Sequence, residues 1–121
     1  MLPRRGEIWV VNLDPQVGAE IQKKRPVIVV SLNELERLPL RIIVPCSTSA
    51  RAAPWMVSIT ATDENNLDRD TTALCDQVKS ISTDRFIHRI GHVDDSVLKE
   101  IVAGIVLCVG YTPKYADQDK R

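Results

Sequence analysis

The sequence predicts a mostly β protein that ends in a helix. Short apolar runs rich in β-branched residues, separated by turn formers, cover most of residues 7–93, and an apolar repeat with helical spacing begins near Asp94. Because strands and helices do not alternate, a doubly wound parallel sheet is excluded. A small barrel-like sheet with a C-terminal helix is expected instead.

About six strands are expected, at residues 7–13, 25–31, 41–49, 55–59, 72–82 and 85–93. Asp14-Pro15 is a turn signal that ends the first strand. Pro26 restricts the second to a strand start or an edge, since proline has no N–H to donate. Residues 32–38 contain helix formers but stop before Pro39, which favours a short helix or turn. The polar segment 62–70 is expected to be a surface loop.

The C-terminal helix is predicted from its start signal and its apolar face. Asp94 or Asp95 is the expected N-cap. The residues that recur on one helical face are Val97, Leu98, Ile101, Val102 and Ile105. Such a face needs an apolar surface to cover, so the helix should pack on the sheet.

Size and charge limit what the chain can do. Its 121 residues are assigned to one domain, 1–121, with a flexible tail expected at 113–121. The chain has 16 basic and 16 acidic residues and a formal net charge of zero, so any polyanion must be held by a local patch. No apolar signal core or membrane span is visible. A cytoplasmic protein is therefore expected.

Several classes of reactive site are missing from the sequence. The three cysteines, Cys46, Cys75 and Cys108, are widely spaced and are interpreted as buried apolar residues rather than a disulfide or metal site. Neither a Gly-rich phosphate loop nor a Gly-x-Ser-x-Gly elbow is present. We therefore expect no metal and no cofactor.

The segment "EIQKKRP" places Glu20, Lys23, Lys24 and Arg25 where a loop meets the second strand. The planar guanidinium of Arg25 can bind two phosphate oxygens, and it stays protonated at physiological pH. The two lysines can attract a nucleic-acid backbone. A solvated basic loop is the alternative interpretation of this segment.

Two further predicted strands contain polar residues that could act on RNA. Ser47, Thr48 and Ser49 end the third strand, and a hydroxyl there could bind phosphate or simply cap a turn. The predicted strand at 72–82 carries, in its middle, residues suited to base edges and backbone, or to cross-strand pairing. They are Asp76, Gln77 and Lys79.

His88 and His92 could in principle share acid and base roles in RNA cleavage. A spacing of four along one strand would place them on the same side but about 13 Å apart, at roughly 3.3 Å per residue. One scissile phosphate could hardly contact both, which favours ordinary surface histidines.

The order of these motifs resembles the MazF/PemK-type toxin family. The opening "RRGEIWVVNLDPQVGAEIQKKRPVIVVS" is similar to the first two strands and connecting loop of that family. "VPCST" resembles its third strand and "CDQVKSIS" its Asp-Gln strand. With the terminal helix, these matches cover nearly all of residues 4–111.

The resemblance implies a small SH3-like barrel, a homodimer, and endoribonuclease activity on single-stranded RNA at a short recognition sequence. It also implies neutralisation by a MazE-like antitoxin whose tail occupies the active groove. Arg25 and Thr48 would be the catalytic pair, with Arg25 aiding proton transfer and charge stabilisation. Glu20, Gln77 and the loop from Pro15 to Lys24 would shape RNA binding.

One departure from the family pattern leaves the catalytic hydroxyl open. Some relatives have a single residue between the proline and the Thr-Ser pair, whereas Pro45 is followed here by Cys46 and Ser47 before Thr48. Ser47 is therefore a rival for the hydroxyl role as well as an RNA-binding candidate.

Three other functions remain open from the sequence. One is a same-fold toxin that inhibits a topoisomerase by binding, as CcdB-type proteins do. Another is an SH3-like interaction module, although such modules usually show an aromatic-lined groove and Trp9 lies among the apolar residues of the first strand. The third is a catalytically inactive dimerisation partner.

Overall fold

The computed structural model describes residues 2–21 and 23–110, and the predicted tail at 113–121 lies outside them. These residues form an antiparallel sheet followed by one α-helix, which confirms the predicted mostly β class with a C-terminal helix. The strands are β1 Glu7–Asn12, β2 Lys24–Val29, β3 Leu40–Ser47, β4 Val57–Ile59, β5 Thr71–Ala73, β6 Lys79–Ser82 and β7 Phe86–His92. The helix α1 is Asp95–Val109, and short 3-10 turns occur at Asn33–Leu35, Cys75–Gln77 and Thr83–Arg85.

The strands lie in the order β4-β5-β3-β2-β1-β7, and β6 also pairs with β3. All of these pairings are antiparallel. Between residues 2 and 110, no strand pairing that the structure describes joins β7 to β4 or to β6, so the expected closed barrel is not confirmed. The turn predicted within 32–38 is confirmed as the 3-10 turn Asn33–Leu35.

The predicted continuous strand at 72–82 is wrong, and the reason lies in Pro45. β6 pairs with the first half of β3, and β5 pairs with Cys46 and Ser47 at its end. In an antiparallel strand, the N–H and the C=O of one residue point to the same edge of the strand. On the edge that faces β5 and β6, the Pro45 carbonyl accepts from the Leu74 N–H at 2.9 Å, but proline has no N–H to donate. The ladder therefore breaks, and the 3-10 turn Cys75–Gln77 separates β5 from β6. The described chain thus has seven strands rather than about six.

Two apolar clusters fill the two sides of the sheet. Neighbouring residues of a strand face opposite sides, so Ile8 joins one cluster while Trp9 and Val11 join the other. Leu98 and Ile101 of α1 complete the first cluster, as the predicted helical face requires. In the second, the rings of Trp9 and Phe86 meet edge to face with their centroids 5.7 Å apart.

Gly104 allows α1 to pack closely on Trp55 and Cys75. Asp94 occupies the predicted N-cap position, and Gly110, with φ +74°, ends α1 in the left-handed conformation that favours glycine. A Cβ on Gly104 would lie 2.6 Å from the Trp55 carbonyl oxygen and 2.7 Å from Cys75 Sγ. The missing side chain thus lets α1 contact the 3-10 turn Cys75–Gln77.

The loop at 62–70 is mostly exposed, as predicted, but it is anchored by one buried residue. Asn65 is only 5% exposed. Its Oδ1 accepts from the backbone N–H of Thr62 and of Leu67, at 2.8 and 3.1 Å. Its Nδ2 donates to Thr60 O at 2.9 Å. A Cβ on Gly91 of β7 would lie 2.6 Å from Glu64 O, so the absence of a side chain there lets this loop pack directly against β7.

The cysteines are all free, and two of them match the predicted burial. Burial raises the pKa of the Cys46 thiol to about 12, with the neighbouring Cys75 as a smaller cause. Burial is also the main reason that the pKa of Cys75 is raised to about 11. The prediction is wrong for Cys108, which is exposed near the end of α1.

In the described parts of the chain, no helix is long and apolar enough to cross a membrane.

Replacing Gly104 with alanine should destabilise the fold. Alanine normally stabilises a helix interior by about 1 kcal/mol relative to glycine. Here the added methyl group would press on a backbone carbonyl, and overpacking of this kind costs roughly 1–3 kcal/mol or more. We therefore expect a lower Tm in thermal denaturation, while Ala103→Ser at the exposed neighbouring position should change Tm little. An increase in Tm for Gly104→Ala would contradict the tight contact.

Candidate active site

Arg25 lies between two grooves. It is the second residue of β2, opposite Val11 of β1, and it is half-buried. On one side it lines a groove of about 510 Å³, here called the first groove. On the other it lines a second groove, also of about 510 Å³. Any group that binds Arg25 can therefore extend in two directions.

The first groove lies between the loop at 66–69 and strands β1, β2, β3 and β7. Its lining residues are Val10, Arg25, Pro26, Cys46, Thr48, Asn66, Leu67, Asp68, Arg69, Thr71, His88, Arg89 and Ile90. Strand register brings three of them together, because Val10 lies opposite both Pro26 and His88. The groove is thus a strip of the sheet surface walled by the loop that Asn65 anchors.

The second groove lies between the β1–β2 loop and the segment that follows β3. Its residues are Ala19, Ile21, Arg25, Ser47, Ser49, Ala50, Arg51, Ala52, Ala53, Trp55, Met56, Leu74 and Gln77. Apolar and small residues dominate, and Arg51 joins Arg25 as the second cation. Trp55 Nε1 is buried with no hydrogen-bond partner among the described residues.

Thr48 and Ser47 face different grooves, as adjacent residues at a strand end do. Thr48 is exposed just after β3 and shares the first groove with Arg25. Ser47 is buried, and its Oγ lies 3.2 Å from Ser49 Oγ and accepts from Ser49 N–H at 3.3 Å. The hydroxyl of Ser47 is therefore used in a local turn, while Thr48 is exposed at the groove that Arg25 also lines.

The β1–β2 loop is fastened to the 3-10 turn and β6 by three polar contacts. The Ile21 N–H donates to Gln77 Oε1 at 2.9 Å. Lys79 Nζ donates to Gln16 Oε1 at 3.0 Å and lies 3.6 Å from Glu20 Oε2. Gln77 and Lys79 thus hold the loop that forms one wall of the second groove.

Five of the seven residues predicted to bind RNA line neither groove, namely Glu20, Lys23, Lys24, Asp76 and Lys79. Lys23 and Lys24 are exposed. Lys23 has φ +70°, with its N–H donating to Asp14 Oδ1 at 2.7 Å. Asp76 is exposed on the 3-10 turn rather than on a strand, in a smaller recess that it shares with Glu20 and Lys79.

Both grooves carry an excess of positive charge although the whole chain is neutral. Arg25 and Arg51 line the second groove, while Arg25, Arg69 and Arg89 line the first with one carboxylate, that of Asp68. The Arg89 Nε also donates to Glu7 Oε2 at 2.8 Å, which partly neutralises it. A local excess of guanidinium groups is what an overall neutral protein needs to bind a polyanion.

The two histidines are not on the same side, contrary to the prediction from spacing. His88 lines the first groove, whereas His92 lines a separate cavity near the start of α1. The pairing of β7 with β1 has irregularities on both sides of Trp9 and Val10, which disturb simple alternation. Between residues 2 and 110, no described cluster of three or more histidine, cysteine, aspartate or glutamate side chains could hold a metal ion.

Sequence reasoning missed several groove residues. Arg69 and Thr71 lie in or just after a segment that looks like an ordinary polar loop, and Arg51 follows a serine-rich turn. Thr71 is 6% exposed, and its Oγ1 has no partner within the described structure. Arg69 reaches this groove because its loop packs on β7, and Thr71 reaches it because β5 pairs with β4 and with the end of β3.

Comparison with known proteins places this geometry in a family. Residues 4–109 match the family described as PemK-like, MazF-like toxin of type II toxin-antitoxin system. Endoribonuclease MazF9 of Mycobacterium tuberculosis is 35% identical over 105 residues, which cover 81% of this chain and 88% of that protein. Endoribonuclease PemK of Escherichia coli is 34% identical over 105 residues, covering 81% and 75% of the two chains.

Solved structures show the same fold. MazF from Deinococcus radiodurans superposes with a TM-score of 0.81 at 23% identity, covering 92% of this chain and 99% of that one. An endoribonuclease from a Mycobacterial species, solved in complex with its cognate antitoxin, gives 0.74 at 19% identity and covers 92% and 98%. The chain therefore belongs to the PemK-like, MazF-like family of toxins of type II toxin–antitoxin systems.

Proposed function

We propose that this toxin is an endoribonuclease that cuts single-stranded RNA at a short sequence without a metal, with Arg25 and Thr48 as its catalytic pair. The observation that carries the proposal is that these two residues, 23 positions apart in sequence, line one groove that is rich in guanidinium groups. Its relatives named MazF9 and PemK are endoribonucleases.

The chemistry that suits this pair is attack of a ribose 2′-hydroxyl on the adjacent phosphate. A bond forms from the 2′ oxygen to phosphorus, the bond to the 5′ oxygen breaks, and the proton lost by the 2′-hydroxyl is balanced by one gained at the 5′ oxygen. The Arg25 guanidinium stabilises the growing charge on the phosphate oxygens, and the Thr48 hydroxyl donates to one of them. Since the substrate supplies the nucleophile, no activated serine is needed.

The residues around the pair have different proposed roles in RNA binding. Gln77, Lys79 and Glu20 act by holding the β1–β2 loop in place, because their polar atoms are engaged with that loop. Ser47 shapes the turn that ends β3. The exposed lysines Lys23 and Lys24 attract the RNA backbone from outside the grooves, whereas the Asp76 carboxylate accepts a hydrogen bond from a base edge.

We further propose that the toxin is a homodimer with an SH3-like barrel in each protomer and is neutralised by a MazE-like antitoxin in the cytoplasm. A related endoribonuclease has been solved in complex with its cognate antitoxin, which supports the partner. The alternative of a CcdB-like topoisomerase inhibitor is not favoured, because the matched relatives are endoribonucleases.

Replacing Arg25 should remove most of the activity. Arg25→Ala deletes the charge that stabilises the transition state. We expect the single-turnover rate constant for cleavage of a synthetic RNA to fall by about 100-fold or more. Arg25→Lys keeps a charge but loses the planar fork, so an intermediate loss is expected. Arg37→Ala, at an exposed position outside both grooves, is the matched control. A wild-type rate for Arg25→Ala would overturn the assignment.

The two candidate hydroxyls can be separated by paired variants. Thr48→Val should lower kcat by about tenfold to 100-fold with little change in Tm, because the side chain is exposed and loses only its contact to the phosphate. Ser47→Ala should lower Tm instead, because it removes the acceptor of the Ser49 N–H. The reverse pattern, with Ser47→Ala inactive and Thr48→Val active, would assign the catalytic hydroxyl to Ser47.

Cleavage should be insensitive to chelators and should depend on the 2′-hydroxyl. We expect equal cleavage rates with and without EDTA, and products that end in a 2′,3′-cyclic phosphate and a 5′-hydroxyl. An RNA with a single 2′-deoxy substitution at the cleaved nucleotide should still bind but should not be cleaved. Mass spectrometry of the products checks the ends. Activity that is lost in EDTA and restored by Mg²⁺ would contradict this mechanism.

A further inference from the structure

We propose that the part of the first groove lined by Thr71 and Arg69 is a second nucleotide subsite, in which Thr71 hydrogen-bonds the base and Arg69 binds the phosphate of a nucleotide next to the cleaved bond. The inference rests on the proposed ribonuclease function. It extends that function, since the RNA-binding residues suggested by sequence lie around the second groove or outside both grooves.

The first argument is the unpartnered hydroxyl of Thr71. The residue is 6% exposed and lines the groove, and its Oγ1 has no hydrogen-bond partner in the described structure. Thr71 lies two positions before Ala73, which pairs with Cys46, and Cys46 is another groove residue. Strand alternation therefore places the Thr71 side chain on the groove side. A buried hydroxyl without a partner is unfavourable, so a ligand that supplies one is stabilised there.

The second argument is the charge at the same end of the groove. Arg69 is exposed in the wall, and no ion pair or hydrogen bond of its side chain occurs within the described residues. Arg89, by contrast, is joined to Glu7 at 2.8 Å. Arg69 is thus the guanidinium outside the catalytic pair that is best placed to bind the next phosphate of a chain whose scissile phosphate lies at Arg25.

The third argument is the shape and composition between these polar groups. Val10, Pro26, Leu67 and Ile90 form an apolar surface, and His88 supplies the one aromatic ring among the lining residues. A groove of about 510 Å³ that combines an apolar surface with polar groups is of the size typical of small-ligand sites. Such a surface suits one nucleobase, packed on the apolar residues and stacked on His88.

The two grooves then bind nucleotides on opposite sides of the scissile phosphate. Arg25 is common to both linings, and the chain of an extended RNA can pass over it from one groove to the other. Recognition would therefore need both the β1–β2 loop side and the loop at 66–69. Specificity for the base in the first groove would depend on Thr71, whose hydroxyl can both donate and accept.

The test uses Thr71→Val, which keeps the shape and removes the hydroxyl, and Arg69→Gln. The matched controls are Thr72→Val, on the opposite face of β5, and Arg37→Gln. The probe is the shortest RNA that wild-type protein cleaves, carrying one 2′-deoxy substitution at the cleaved nucleotide, and versions shortened by one nucleotide at either end. Binding is measured by fluorescence anisotropy, and Tm is measured for each variant.

We expect the affinity of the wild-type protein to fall about tenfold when the terminal nucleotide that occupies the first groove is removed from the probe. Thr71→Val and Arg69→Gln should each bind the full probe about tenfold more weakly than the wild type does. Their affinity should fall little more when the probe lacks that nucleotide. The Tm of Thr71→Val should be unchanged or higher, because an unpaired buried hydroxyl is removed. A merely structural role would lower both Tm and binding of every probe.

Wild-type affinity of Thr71→Val and Arg69→Gln for all probes would overturn the subsite while leaving the ribonuclease assignment intact. Equal losses on the full and shortened probes would also overturn it. Failure of the wild-type protein to cleave any RNA would instead overturn the proposed function, and the two failures are distinguishable because cleavage of the unmodified RNA is measured before any probe is bound.

Discussion

The structure depends on the way β3 changes its partner at Pro45. β3 pairs with β2 along one edge, and along the other edge it pairs first with β6 and then with β5. The missing N–H of Pro45 breaks that second edge, and the chain crosses the break as the 3-10 turn Cys75–Gln77. Because β3 continues beyond the break to Ser47, its end lies beside β5, and Thr48 enters the groove that Arg25 lines.

The same turn links the core to the candidate site. Cys75 is buried beneath Gly104 of α1, where no Cβ could fit, so the helix fixes the position of the turn from one side. Gln77, at the other end of the turn, accepts from the Ile21 N–H and so holds the β1–β2 loop. The loop that walls the second groove is therefore positioned by helix packing, through a turn of three residues. Contacts far from Arg25 thus determine the shape around it.

Sequence patterns correctly predicted the strands and the helix that are specified by their own residues. They failed for the segment whose structure depends on its pairing with another strand. β1, β2, β7 and α1 follow from apolar periodicity and from turn signals such as Asp14-Pro15. The segment 72–82 has the composition of one strand, and only its pairing across Pro45 divides it. Among site residues, Arg25 and Thr48 stand at strand ends and are visible in the sequence. Arg69 and Thr71 are not, because nothing local shows that the loop at 62–70 folds onto β7 or that β5 pairs with the end of β3.

Neutral overall charge and local positive charge have a joint consequence for how this toxin can select RNA. A protein with a strong net positive charge would bind any RNA through its backbone and gain little from contacts to bases. Here the net charge is zero, and the guanidinium groups of Arg25 and Arg69 lie at one groove, beside Asp68, with Arg89 tied to Glu7. Weak general attraction leaves more of the binding free energy to contacts that only particular bases can make. An unpaired hydroxyl such as that of Thr71 then contributes to discrimination, because a base that cannot pair with it leaves it unsatisfied.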